Sequence, residues 1–141
     1  MEPGEKLQIA IANGTSGESF NPIGLFEQRW QQVFNNIEEY TELEFENLGN
    51  FQSINAATNA GADLTLTISG SYSGGLFAGP YIEDALAQAG FPSTTDNLYN
   101  GSQGDVILNI DSTLVDMASQ STGDGSRFFY ILTHEVGHAM G

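Results

Sequence analysis

The chain contains no cysteine and very few cationic side chains. Its 141 residues include three Lys plus Arg against 18 Asp plus Glu, which gives a formal net charge of -15. Without Cys neither a disulfide framework nor a thiolate metal site can form, so any metal must be held by His and carboxylates. Three scattered cations, Lys6, Arg29 and Arg127, cannot form a basic patch. This argues against nucleic acid and against anionic membrane surfaces as partners.

Long apolar runs are also missing from the sequence. No run approaches the roughly 20 residues that a membrane-spanning helix needs. The first five residues are acidic and polar, unlike a signal peptide, so an export signal is expected elsewhere, already removed, or not used. The hydrophobic share of 40% is nevertheless too high for intrinsic disorder. The length predicts one domain over residues 1–141 with a single core.

The spacing of apolar residues predicts an α+β fold. Alternating apolar residues predict strands at 7–12, 41–47, 63–69 and 106–110. Apolar residues recur at helical spacing over about 23–39 and 126–140, and a short helix is predicted at 82–89. We therefore expect a twisted, mixed, four- to five-stranded sheet with the two main helices packed on one face.

Two further segments each have two interpretations. The glycine-rich stretch 70–81 contains Pro80, which restricts any strand there to a sheet edge. Residues 75–81 are either such an edge strand, to which a peptide substrate adds, or an ordinary glycine-rich loop. Glu42, Glu44 and Glu46 share one face of a predicted strand, which favours a solvated face; a calcium site is the alternative.

The only two histidines flank a glutamate in His134-Glu135-Val136-Gly137-His138. Four residues of helix place His134 and His138 on one face, about 6 Å apart at Cβ. Two imidazoles at that spacing can bind one zinc ion, and the pattern is typical of metalloproteases. Glu135 lies beside the first ligand, where its carboxylate can accept a proton from the attacking water. A pair of histidines that is merely exposed or hydrogen-bonded is the alternative interpretation.

Two glycines belong to the same motif. Gly137 occupies a mid-helix position, which costs about 1 kcal/mol relative to Ala. Close packing against a neighbouring strand would explain Gly137 without any function. Gly141 follows Met140 at a position where glycine can end the helix and turn the chain sharply. In a zinc site, that turn would bring a later residue round to the metal.

The segment 134–141, HEVGHAMG, resembles the first eight residues of the metzincin signature H-E-x-x-H-x-x-G-x-x-H. The resemblance is to secreted matrixin-like and serralysin-like peptidases, and is sharp over 129–141 and diffuse before residue 104. It implies a zinc-dependent endopeptidase with His134 and His138 as ligands and Glu135 as general base. It also implies an extracellular location and a peptide or protein substrate.

The same resemblance implies that more chain is needed. The third zinc ligand is expected three residues after Gly141, and the Met-containing turn lies further on. Residues 1–141 would then be the N-terminal subdomain of such a catalytic domain, weakly active or inactive by itself. Its uncovered apolar surface would favour self-association. The alternatives are a non-catalytic zincin-like binding or structural domain, and a thermolysin-like site with a Glu ligand from further along.

Overall fold

A computed structural model describes residues 6–13, 23–69, 87–89, 105–109 and 127–140. The predicted mixed α+β class is confirmed. Residues 75–81 and Gly141 lie outside the described residues. The described elements are, in chain order, β1 (Lys6–Ala12), α1 (Ile23–Tyr40), β2 (Glu44–Phe51), α2 (Ile54–Asn59), β3 (Leu64–Ser69), β4 (Ala87–Ala89), β5 (Asp105–Asn109) and α3 (Arg127–Met140).

The strands form one sheet in the order β2-β1-β3-β5-β4. β1 pairs in parallel with both β2 and β3, and β3 pairs in parallel with β5. β4 pairs antiparallel with β5. Parallel strands need crossover connections, which is why a helix separates β1 from β2 and another separates β2 from β3.

Alternation along β1 divides the interior into two cores. Ile9 and Ile11 belong to the large core with α1 and α3, whereas Ala10 and Ala12 belong to a smaller core with α2. Successive strand side chains point to opposite faces of a sheet, so the two main helices cover one face and α2 covers the other.

Aromatic side chains join α1 to α3 in the large core. Trp30 and Phe34 of α1 are fully buried and their ring centroids are 4.6 Å apart. Phe26 of α1 meets Phe128 of α3 edge to face. Helices α1 and α3 therefore contact each other as well as the sheet.

The prediction of a short helix at 82–89 is wrong where the structure describes it. Residues Ala87–Ala89 form strand β4 and pair with Val106, Ile107 and Leu108 of β5. Alanine and glutamine favour a helix locally, but the open edge of β5 offers hydrogen bonds that local propensity does not reveal. Pairing with β5, which is distant in sequence, therefore determines the secondary structure of this segment.

The second strand begins later and runs further than predicted. β2 starts at Glu44 and continues to Phe51, and its register against β1 shifts between Ile9 and Ile11. Gly49 lies in this irregular stretch with a φ of +94°, a conformation that glycine adopts without strain. The bulge lets the strand extend beyond the alternating stretch that had predicted it.

Helix α2 was missed by the sequence prediction. It spans six residues, too few to show an apolar stripe. Ser53 caps its N-terminus, because the Ser53 hydroxyl accepts a hydrogen bond from the Ala56 N–H. Within the described residues, no helix combines the length and the apolarity that crossing a membrane requires.

Candidate metal centre

Helix α3 places the predicted site because one face of it is anchored in the core. Phe128, Leu132 and Val136 recur every four residues and are fully buried, and Ala139 continues this face one turn later. On the opposite side His134 is exposed and His138 is partly exposed. Packing of the apolar face therefore fixes the direction in which the two histidines point.

The two histidine rings converge on each other. Their Nε2 atoms are 3.0 Å apart, the ring centroids are 4.6 Å apart and the ring planes are nearly perpendicular, at 87°. Without metal, one Nε2–H donates to the other Nε2, with the direction set by the tautomers. Both nitrogens thus face one point beside the helix, as the i, i+4 spacing predicts.

This separation can be compared with a zinc site. Two imidazole nitrogens at 2.0–2.1 Å from a tetrahedral zinc ion lie about 3.3–3.4 Å apart. The observed 3.0 Å is shorter by a few tenths of an ångström, which small side-chain rotations can supply. Neutral imidazole is also a preferred zinc donor. The histidine pair therefore fits two positions of such a site.

Glu135 lies between the two ligand candidates in sequence and is partly buried. Burial raises the pKa of its carboxyl above the ordinary value, and the nearby charges of His134 and His138 oppose that rise. Desolvation is the larger effect, since it penalises the ionised form. The carboxylate consequently holds a proton more readily than an exposed glutamate does, which suits a general base.

A third protein ligand does not accompany the pair in the described part of the chain. No group of three or more His, Asp or Glu side chains there is arranged to hold a metal ion. The third ligand predicted beyond Gly141 therefore stays a prediction, as does the turn at Gly141. The described site consists of two nitrogen donors and one adjacent carboxylate.

A pocket of about 260 Å³ lies along α3 beside His134. Thr133 is one of its lining residues, and the Thr133 hydroxyl oxygen is buried with no hydrogen-bond partner among the described residues. Tyr130, one turn before His134, is 74% exposed. Sequence analysis missed these residues, although their i−4 and i−1 spacing from His134 could have indicated them. The lining residues are Phe129, Tyr130, Thr133, His134 and Gly137.

Gly137 forms part of this pocket, and packing does not explain it. The helical residue is exposed, and a Cβ added there would meet nothing within 4 Å among the described residues. The interpretation that a neighbouring strand requires a glycine here therefore finds no support in the described fold. The missing side chain instead leaves the helix backbone open next to His134 and His138.

The carboxylates of the three glutamates of the predicted second strand do not point toward one common site. Glu42 precedes β2, and all three side chains are exposed. The Glu44 carboxylate is 3.4 Å from the Lys6 ammonium, and the Glu46 carboxylate accepts a hydrogen bond from Gln8. This arrangement favours a solvated face; calcium binding there is not supported by any group of carboxylates in the described residues.

Comparisons with known proteins assign no family. No family model matches the chain, and no curated protein matches it. One solved structure, titled "Structure of a chaperone-substrate complex", is similar over the whole of this chain, with 13% sequence identity and a TM-score of 0.47. The chain spans about a quarter of that protein, 24% of its length. A likeness at this score carries no argument about function.

Proposed function

We propose that this chain is the metal-binding part of a zinc-dependent endopeptidase of the metzincin type. The main observation behind this proposal is that the Nε2 atoms of His134 and His138 lie 3.0 Å apart, on one side of a helix that is anchored in the core. The partly buried Glu135 between them supplies the second requirement, a carboxylate with a raised pKa. An extracellular site of action and a peptide or protein substrate belong to the same proposal.

The layout of the fold supports this assignment. The resemblance implies the element order strand, long helix, strands and site helix, and the apolar spacing predicts that both helices pack on one face of the sheet. α1 and α3 share one core with Ile9 and Ile11 of β1. Strand β4 lies antiparallel at the edge of the sheet, with its backbone close to α3. The metzincin-type upper subdomain is therefore the form of α+β fold that we propose.

His134, His138 and Glu135 have separate roles in the proposed reaction. His134 and His138 would hold zinc, which when bound supplies a Lewis acid. Glu135 takes a proton from the attacking water and later delivers it to the leaving amine nitrogen of the cleaved peptide. Its raised pKa brings its proton affinity closer to neutral pH, where a carboxylate of ordinary pKa is a weak base.

A non-catalytic binding or structural domain with the same fold is the second candidate. The observation in its favour is the absence of a third ligand donor among the described residues. Two protein ligands hold zinc more weakly than three, and a peptidase needs an ordered metal. For residues 1–141 alone, we therefore expect little or no peptide hydrolysis.

The test is a fluorogenic peptide assay with a metal analysis of the same preparations. In a polypeptide that continues past Gly141 through a third ligand, Glu135→Ala should abolish hydrolysis and retain zinc. Loss of a positioned general base lowers the rate by about 10²–10⁴. Glu39→Ala, on the exposed side of α1, is the matched control and should keep full activity. Loss of zinc from Glu135→Ala, or full activity without Glu135, would contradict the proposal.

A further inference from the structure

Strand β2 lies at one end of the described sheet, where it pairs with β1 on one side only. The outer side of an edge strand presents N–H and C=O groups that can pair with a strand of another chain. In β2 the N–H of Phe45 is not donated to β1 but to a carboxylate oxygen of Glu38, at 2.8 Å. A side chain of α1 therefore occupies a donor to which an added strand would bond.

The Glu38 contact is one of three that a single stripe of α1 makes with β2. Glu27, Gln31 and Glu38 are spaced i, i+4 and i+11, which places them on one side of a helix with 3.6 residues per turn. The Gln31 amide oxygen accepts a hydrogen bond from the Asn47 side chain at 3.1 Å, and the Glu27 carboxylate accepts one from the Asn50 side chain. These three α1 residues, which we call the edge stripe, thus follow β2 along most of its length.

Charge is a second obstacle to pairing at this edge. If β2 of a second copy lay antiparallel along it, the exposed carboxylates of Glu44 and Glu46 in the two copies would approach each other. Like charges that face each other on neighbouring strands destabilise the pair. Salt weakens this repulsion, since the Debye length falls to about 3 Å at 1 M ionic strength. High salt therefore separates the effect of the edge stripe from that of repulsion between chains.

We infer that the edge stripe keeps β2 closed to strand addition, and that loss of the Glu38 contact turns this edge into a surface that pairs with β2 of a second copy. A second copy fits because the same edge on both chains can pair around a twofold axis. Within the stripe, Glu38 accepts its bond from the backbone, whereas Gln31 and Glu27 bind side chains. The inference concerns α1 and β2 and does not rest on the proposed function.

The experiment measures amide hydrogen exchange at Phe45 by NMR, on the 141-residue chain in about 1 M NaCl, at low and high protein concentration. In the wild-type chain the exchange rate should not depend on concentration. In Glu38→Ala it should be about tenfold faster in dilute solution, because the acceptor of the N–H is lost. It should then slow as the concentration rises, because pairing protects the same N–H. Sedimentation velocity should show dimers of this variant in the concentrated samples.

Three further variants identify the cause of any association. Glu39→Ala removes the same charge from an exposed position outside the edge stripe and should behave as wild type. Glu38→Gln loses the charge but keeps an oxygen acceptor, so it should keep the edge closed. Glu38→Leu keeps a long side chain without an acceptor and should associate as Glu38→Ala does. Circular dichroism of each variant verifies that α1 remains folded.

Several results would overturn the inference. One is unchanged Phe45 exchange in both Glu38→Ala and Glu38→Leu, with no dimer at any concentration. Another is equal association of Glu39→Ala, which would mean that net charge and not the edge stripe prevents pairing. Dimers of Glu38→Ala in which Phe45 still exchanges fast would show that the chains associate through a different surface. Wild-type dimers in which the Phe45 N–H is protected would show that the edge is not closed.

Discussion

Phe26 and Phe128 meet edge to face, with ring centroids 6.1 Å apart and an interplanar angle of 77°. This contact joins the first long helix to the helix that carries the histidines. Aromatic pairs in this arrangement add about 0.5–1.5 kcal/mol beyond the burial of their surface. The position of the candidate metal centre therefore depends on packing at the start of α3, about two turns before His134.

Phe128→Ala should destabilise the fold strongly. The side chain is fully buried, and truncating a buried phenylalanine costs about 3–5 kcal/mol through lost burial and the cavity that remains. Tyr130→Ala, two residues away and exposed on the same helix, is the control and should change stability by less than about 0.5 kcal/mol. Urea denaturation followed by Trp30 fluorescence measures both. Similar midpoints for the two variants would mean that α3 is not anchored as described.

Removing either imidazole should abolish zinc binding at this site. With His138→Ala only one protein nitrogen remains, and a single ligand does not hold zinc at useful affinity. Isothermal titration calorimetry of His134→Ala, His138→Ala and the wild-type chain measures the difference. Tyr130→Ala removes a neighbouring side chain without removing a nitrogen donor, so its zinc affinity should stay close to that of the wild type. An unchanged affinity in His138→Ala would refute the assignment.

Glu135 should make the metal-free chain less stable as the pH rises. Burial raises the pKa of its carboxyl in the folded state above the ordinary value of 4.5. Between the unfolded-state and the folded-state pKa, the folded chain therefore binds more protons than the unfolded chain. Stability therefore falls as the pH rises through the folded-state pKa and is recovered below the unfolded-state value. Glu135→Gln cannot ionise, so it should be more stable than wild type at pH 8.

The gap between Glu135→Gln and wild type should close as the pH approaches 4.5, the ordinary glutamate value. Denaturant midpoints measured across this pH range, with a chelator present, test the expectation. Glu39→Gln, which removes an exposed carboxylate of α1, is the matched substitution measured alongside. A Glu135→Gln variant that is less stable than wild type at pH 8 would show that the carboxylate makes a stabilising contact instead.

Gly137→Ala should stabilise the metal-free chain. Alanine is favoured over glycine in a helix interior by about 1 kcal/mol, and the added Cβ meets no described atom within 4 Å. A rise in the thermal midpoint of a few degrees is expected for a domain of this size. Calorimetry measures it, with Gly24→Ala in α1 as a second helical glycine, whose added Cβ also meets no described atom within 4 Å. A lower midpoint for Gly137→Ala would indicate that another part of the chain packs there.

The sequence was sufficient to predict a helix or strand wherever one residue pattern covers several helical turns or a whole strand. Apolar residues at helical spacing predicted α1 and α3 to within one residue at each end. Alternation predicted β3 equally well. The histidine pair also follows from local geometry, because four residues of α-helix bring two side chains to one face wherever the helix lies.

Shorter elements were decided by partners distant in sequence. Residues 87–89 form a strand because β5 offers them hydrogen bonds, against the helical preference of alanine. β2 continues past the alternating stretch because a bulge at Gly49 preserves its pairing with β1. Helix α2 carried one local signal, the Ser53 cap, but six residues show no period from which to predict it.

The sequence by itself determined that two imidazoles share a helix face with a glutamate beside the first of them, since helix periodicity requires only the spacing 134, 135, 138. Only the tertiary structure decided in which direction that face points and how far its side chains are exposed to solvent. Burial of Phe128, Leu132 and Val136 turns the histidines outward, and partial burial raises the pKa of Glu135. Both effects depend on a core assembled from α1 and four strands, whose contacts join residues up to about a hundred positions apart.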